Sequence, residues 1–152
     1  MVKPYTISMI EKNNNSASVK AGADVINGSF GVIDANGAFV NATRATHVAM
    51  QVGKGDDNHT DFAIPSGADM RVFKLADWEG KYLQVSPKHI TYNTGENYAS
   101  ISAGTTMLVS DASGNLVISA TAATATGYVY LKVTKKIEFD GDGVLGQICI
   151  GA

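Results

Sequence analysis

Asp34-Ala35-Asn36-Gly37-Ala38-Phe39-Val40 returns further along the chain as Asp111-Ala112-Ser113-Gly114-Asn115-Leu116-Val117. Each stretch is an Asp-x-x-Gly turn that runs directly into an apolar strand start. The Asp carboxylate can accept bonds from nearby backbone N–H groups, and Gly takes the positive φ that closes a tight turn. The two stretches therefore predict two β-hairpins. The similarity also extends outward. Ala17-Ser18-Val19-Lys20-Ala21-Gly22 matches Ala99-Ser100-Ile101-Ser102-Ala103-Gly104, and both copies run on into Ala-Thr, at Ala42-Thr43 and Ala120-Thr121. A third fragment, Ile64-Pro65-Ser66-Gly67-Ala68-Asp69-Met70, echoes Val19-Lys20-Ala21-Gly22-Ala23-Asp24-Val25. Two explanations stand side by side. Separate hairpins can converge on one turn chemistry, or one hairpin unit has been duplicated. The copies are too few and too irregular for a solenoid.

Strand patterns fill the space around these turns. Thr6-Ile7-Ser8-Met9-Ile10, Ala17–Ala21, Val48–Val52 and Met70–Leu75 alternate polar and apolar residues. Met107–Val109, Leu116–Ile118, Tyr128–Val133 and Gln147–Ile150 follow later in the chain. Alternation puts one side-chain set on a core face and the other outside. Helical periodicity is weak, and only one short turn is expected, over Leu75–Gly80 with Asp77 as its cap. Ala120–Gly127 is a small-residue tract that reads as a loop leading into the strand at Tyr128. The predicted fold is all-β: a single-domain β-sandwich or barrel with short strands, tight turns and a pseudo-repeated hairpin unit. Residues 1–152 form one β domain. Within it, 1–16 is an N-terminal arm and loop, 17–75 a first repeat-like half, 76–98 an aromatic-rich insertion and 99–152 a second repeat-like half.

Composition narrows the function. Charged residues are 17%, below the usual ~25%. Net charge is −2, which argues against nucleic acid as a partner, because phosphate binding needs a basic stripe. Lys135-Lys136 reads as a solvated strand end. No apolar leader follows the N-terminus and no run approaches ~18 apolar residues, so neither export nor a membrane is expected. Cys149 is the single cysteine, set in an apolar run, and is expected to be a small buried hydrophobe.

A search for chemistry finds no catalytic set. His47, His59 and His89 are far apart and lack zinc spacing. Asp56–Asp61 and Asp140–Gly143 lack the spaced ligands of a calcium loop. There is no Gly-x-Ser-x-Gly elbow and no phosphate loop. Ser86-Pro87-Lys88-His89 reads as a turn after the strand Tyr82–Val85. The expectation is a protein that is not an enzyme and uses no cofactor and no metal. Trp78, Tyr82, Tyr92 and Tyr98 gather in one third of the chain. They can serve as a barrel plug, as anchors for a partner, or as a stacking platform for sugars.

The small-Gly step, the strand, the Asp-x-x-Gly turn, the Phe/Leu-Val pair and the Ala-Thr tract together resemble tailed-bacteriophage virion proteins. The likeness is greatest to head decoration (cement) proteins, and it covers Ala17–Thr46, Ile64–Leu75 and Ala99–Val133. It implies a capsid-stabilising protein, made in the host cytoplasm, that sits on the virion exterior, binds the major capsid protein and itself as a homo-oligomer, and bridges capsid subunits. It suggests adhesion through the N-terminal arm, with Tyr5, Ile7 and Met9; the clustered aromatics Trp78 and Tyr82, which the likeness does not account for, are further candidate partner contacts. The alternative is a carbohydrate-binding or tail/fibre β-sandwich module using Trp78, Tyr82 and Tyr92.

Overall fold

The structure, a computed structural model, describes residues 2–4, 17–50, 62–137 and 143–152. Its strands are β1 (Val2–Pro4), β2 (Ala17–Ala21), β3 (Val25–Ile26), β4 (Phe30–Ile33), β5 (Ala38–Asn41), β6 (His47–Ala49) and β7 (Ala63–Ile64). They continue as β8 (Asp69–Lys74), β9 (Tyr82–Val85), β10 (Met107–Ser110), β11 (Leu116–Ser119), β12 (Val129–Ile137) and β13 (Gly143–Ile150). The order β1-β9-β13-β12-β10-β11 makes a six-stranded sheet, β2-β5-β4-β6-β8 closes a barrel, and β3 with β7 forms a short ribbon. The fold is all-β, as the alternation predicts. The Ala-Thr tract is a loop with a single 3-10 turn at Ala122–Thr124, and Pro87–His89 follows β9 as another.

Two cores result. Inside the barrel, Ala21, Phe39, Ala49, Met70 and Val72 pack together, with Val25 and Ile64 of the ribbon at one end and Val19 and Ile33 alongside. Space there is tight. A Cβ on Gly31 would meet the Phe39 ring at 2.8 Å and the Val40 carbonyl oxygen at 2.1 Å, so β4 carries no side chain at that point. The larger core lies between barrel and sheet. Phe30, Val48 and Phe73 from the barrel wall meet Leu83, Val85, Leu108, Leu131, Val133, Val144 and Ile148 from the sheet. Neighbouring residues divide between the two cores, as with Val48 and Ala49 on β6, because successive side chains of a strand point to opposite faces.

Both Asp-x-x-Gly turns fold alike, down to individual bonds. The Asp34 carboxylate accepts from Asn36 N at 2.8 Å and Ala38 N at 3.0 Å. The Asp111 carboxylate accepts from Ser113 N at 2.8 Å and Asn115 N at 3.0 Å. Hairpin β4–β5 belongs to the barrel and hairpin β10–β11 to the sheet. The second docks on the first, with Phe30 N donating to Gly114 O and Ala45 N to Ser110 Oγ, both at 2.8 Å. Asp34→Ala and Asp111→Ala are each expected to cost about 1–2 kcal/mol, since each removes two charge-assisted bonds from a half-exposed site. Urea unfolding of the two variants measures it.

The other repeat blocks behave differently. Ala17–Ala21 is strand β2, whereas Tyr98–Ser100 is a 3-10 turn capped by Asn97, so the likeness of those blocks does not extend to their conformation. The third fragment lies directly against its echo. Val19 stands opposite Met70 and Val25 opposite Ile64, the first residue of each copy facing the last of the other. Ala21 N donates to Ala68 O and Gly67 N to Ala21 O near the local two-fold. The short turn after β8 spans Leu75–Trp78, but Asp77 does not cap it. Leu75 N instead donates to Thr46 O at 2.9 Å, which satisfies that N–H without a side chain.

His47 on β6 is half-buried, stands opposite Lys74 and has its Nδ1 2.8 Å from Thr46 Oγ1. Burial first, and the Lys74 charge second, lower its pKa below the ordinary 6.5, while Asp77 opposes them. The unfolded chain therefore takes up this proton first on acidification. Stability from His47 is fully present above pH 6.5 and falls as pH drops through that value toward the lower folded pKa. His47→Gln is expected to flatten this part of the stability-versus-pH curve, measured by urea titration between pH 5 and about 7.5.

Candidate functional site

One face of the six-stranded sheet packs on the barrel, and the other, whose side chains are half-buried or exposed, is the open face among the described residues. Cross-strand partners share a face, so the register gives the open side row by row. Tyr82 stands opposite Gln147, Gln147 opposite Lys132, Lys132 opposite Met107, and Met107 opposite Ser119. This row runs unbroken across five strands. Beside it Gln84 faces Leu145 and Leu145 faces Lys135. On its other flank are the pairs Tyr130 with Cys149 and Val109 with Val117.

This surface is unusual for a water-facing sheet face, where polar residues normally alternate with the buried set. Tyr82, Met107, Val109, Val117, Tyr130, Leu145 and Cys149 are all half-buried, while Lys132 and Lys135 are exposed. The six strands contain no Asp or Glu, and Lys3, Lys132, Lys135 and Lys136 are their only charged residues. In a chain of net charge −2, every Asp and Glu thus falls outside these six strands in the sequence. Burial, and then Cys149 across the ladder, hold the Tyr130 phenol above its ordinary range.

A bulge decides which lysines join the face. The register slips between Val133 and Lys135, which re-aims the side chains beyond it. Lys135 stays in the open row. Lys136 instead donates to Tyr98 O at 3.0 Å and sits 4.1 Å from the centre of the Tyr98 ring. The Tyr98 hydroxyl in turn donates to Gly143 O at 3.0 Å. The reading of Lys135-Lys136 as a solvated end therefore fits Lys135 alone.

The sequence-predicted partner residues separate. Tyr82 lies on the open face. Trp78 does not: it is only 2% exposed, in the main core, with its ring 4.8 Å from that of Phe73. This corrects its assignment as a contact or sugar-stacking residue, because a ring enclosed on the core side offers no face to a ligand. Nor does it plug the barrel, since it belongs to the core between barrel and sheet. Tyr92 and Tyr98 also pack against that core. Tyr5, Ile7 and Met9 lie outside the described residues, as do Thr6–Ile10 as a strand, most of Asp140–Gly143 and all of Asp56–Asp61. Cys149, expected to be buried, is half-buried on the open face.

Sequence reasoning did not find Tyr130, Lys132, Met107 and Leu145 as surface partners. The available signal was the complete absence of carboxylates across these strands. Elsewhere, Ile26 and Phe62 are exposed at 44% and 40%, neighbours on the ribbon where Asn27 N donates to Phe62 O. Two such side chains are ordinary surface. The cavity lined by Phe30, Ala45, Leu75, Leu108, Leu116 and Leu131 is about 10 Å³, enough for one water at most. Among the described residues, no group of three or more His, Cys, Asp or Glu could hold a metal ion. No known protein family, curated protein or solved structure matches the chain.

Proposed function

We propose that this chain is a non-enzymatic structural protein that docks on an acidic protein surface through the open face of its six-stranded sheet. The observation that carries the proposal is the unbroken row Tyr82–Gln147–Lys132–Met107–Ser119. Apolar and aromatic area there surrounds an exposed ammonium group, and no carboxylate lies in the strands. Electrostatic complementarity then selects a partner rich in Asp and Glu.

The face is small. Four inter-strand gaps of about 4.8 Å make it about 19 Å wide, and strands about 17 Å long give a projected area of about 320 Å². A stable interface uses about 800 Å² per partner. One such contact is therefore weak, and useful strength comes from many copies held on a repeating lattice. The lattice suggested by the sequence resemblance is the outside of a tailed-phage head. On this proposal the chain is a decoration protein that bridges coat subunits and acts as a homo-oligomer.

The test is co-sedimentation with heads assembled from the coat protein encoded beside this chain. Saturable pelleting that weakens with salt is expected, because Lys132 and Lys135 are solvent-exposed. A chain that stays in the supernatant at all ratios, or that has no coat gene beside it, contradicts the proposal.

A further inference from the structure

We propose that β1 is an exchangeable strand, so that Val2–Pro4 of one copy occupies the β9 edge of a second copy. The inference rests on strand order and is independent of what the open face binds. Among the described strands, β1 lies at the end of the six-stranded sheet and pairs with β9 alone. Its three residues form one short ladder, with Val2 opposite Val85, Lys3 opposite Gln84 and Pro4 opposite Leu83. Pro4 has no N–H to extend the pairing.

The β9 edge is more than a bare ladder. Val2 is 4% exposed and joins the main core, beside Val85 and, one strand further, Val144. This edge thus offers a socket for one apolar side chain together with unpaired backbone groups. Left empty, it would be a sticky sheet edge. The socket makes the same contacts whichever chain fills it, so contact energy does not favour self-pairing over exchange. Reach and concentration decide between them.

Reach permits exchange. Residues 5–16 lie between β1 and β2, and a tether of that length spans up to about 40 Å when extended. The whole domain has a radius of gyration near 15 Å by size scaling, so about 40 Å is roughly its diameter. The same strand can therefore reach its own β9 or that of an adjacent copy. A lattice that holds copies side by side raises the local concentration and favours exchange.

Paired cysteines test this directly. In a Cys149→Ser background, Lys3→Cys and Gln84→Cys lie opposite each other in register, at the Cα spacing a disulfide needs. The double variant at high dilution is expected to close this bond within one chain, which checks the register. The two single variants, one carrying a size tag, are then mixed at increasing concentration and oxidised. Exchange is expected to yield a mixed-size covalent dimer whose share rises with concentration. The proposal is overturned if the mixture gives no mixed dimer while the double variant always closes internally, even where a sizing column shows oligomers. It is equally overturned if the double variant forms neither bond. Mixed dimers from a protein that binds no shell would leave the exchange standing and remove the decoration proposal.

Discussion

Trp78→Ala is expected to destabilise this domain by about 3–5 kcal/mol and lower its melting temperature by about 6–20 °C. Trp78 is enclosed between barrel and sheet. Its ring lies tilted against Phe73 with centroids 4.8 Å apart and planes at 32°, a geometry worth roughly 1 kcal/mol beyond area alone. The 3-10 turn Leu75–Trp78 follows directly on β8 and turns the indole into the core. Truncation leaves a cavity that β8, β9 and β13 cannot close without moving the barrel against the sheet. Calorimetry measures the loss. The same variant also tests the sugar-binding alternative. Retention on glycan resins that falls only in step with the folded fraction fits a core role. A fully folded Trp78→Ala with lost retention would reverse the assignment.

Lys132→Glu is expected to act in the opposite way. The residue is exposed at the centre of the open face, opposite Met107 and Gln147, so its replacement changes stability by no more than about 0.5 kcal/mol. Binding to an acidic partner replaces an attraction with a repulsion at the middle of the contact. A weakening of at least about tenfold per site, roughly 1.4 kcal/mol, is expected. Multivalent display multiplies that loss, because every copy on the lattice carries the same defect. Sedimentation with shells at two salt concentrations measures it. The wild type is expected to lose affinity with salt, and the variant to show little remaining salt dependence. Equal binding by both proteins would move the contact elsewhere.

How much of this was legible in the sequence differs element by element. The two Asp-x-x-Gly turns were fully legible, because their chemistry is local: an Asp carboxylate with a Gly three residues further on. So were β8, β10 and β11, the first part of β12 and the second half of β13, whose alternation is a property of the strand itself. The barrel was not. Closure of the barrel depends on β2 lying parallel to β5 and antiparallel to β8, pairings that leave no local trace. The open face was hidden for the same reason. Tyr82, Lys132 and Met107 are far apart along the chain and become one row only through register. The surface reading of Trp78 failed because clustering in sequence was taken as clustering on a surface. In the fold, one turn sends Trp78 inward while Tyr82, on the strand that follows, faces out. The bulge at Thr134, whose hydroxyl donates to Leu145 O at 3.1 Å, separates two adjacent lysines in a way composition cannot show.

Hydroxyl-radical footprinting of the protein, free and on shells, tests the central claim most directly. Met107, Cys149, Tyr82 and Tyr130 are readily oxidised side chains that lie together on the open face, while Phe62 lies on the β3–β7 ribbon. Severalfold protection of the first four on the shell, with Phe62 labelled as before, is the expected result. Unchanged labelling of Met107, Tyr82 and Tyr130 in a protein that is demonstrably bound would contradict it.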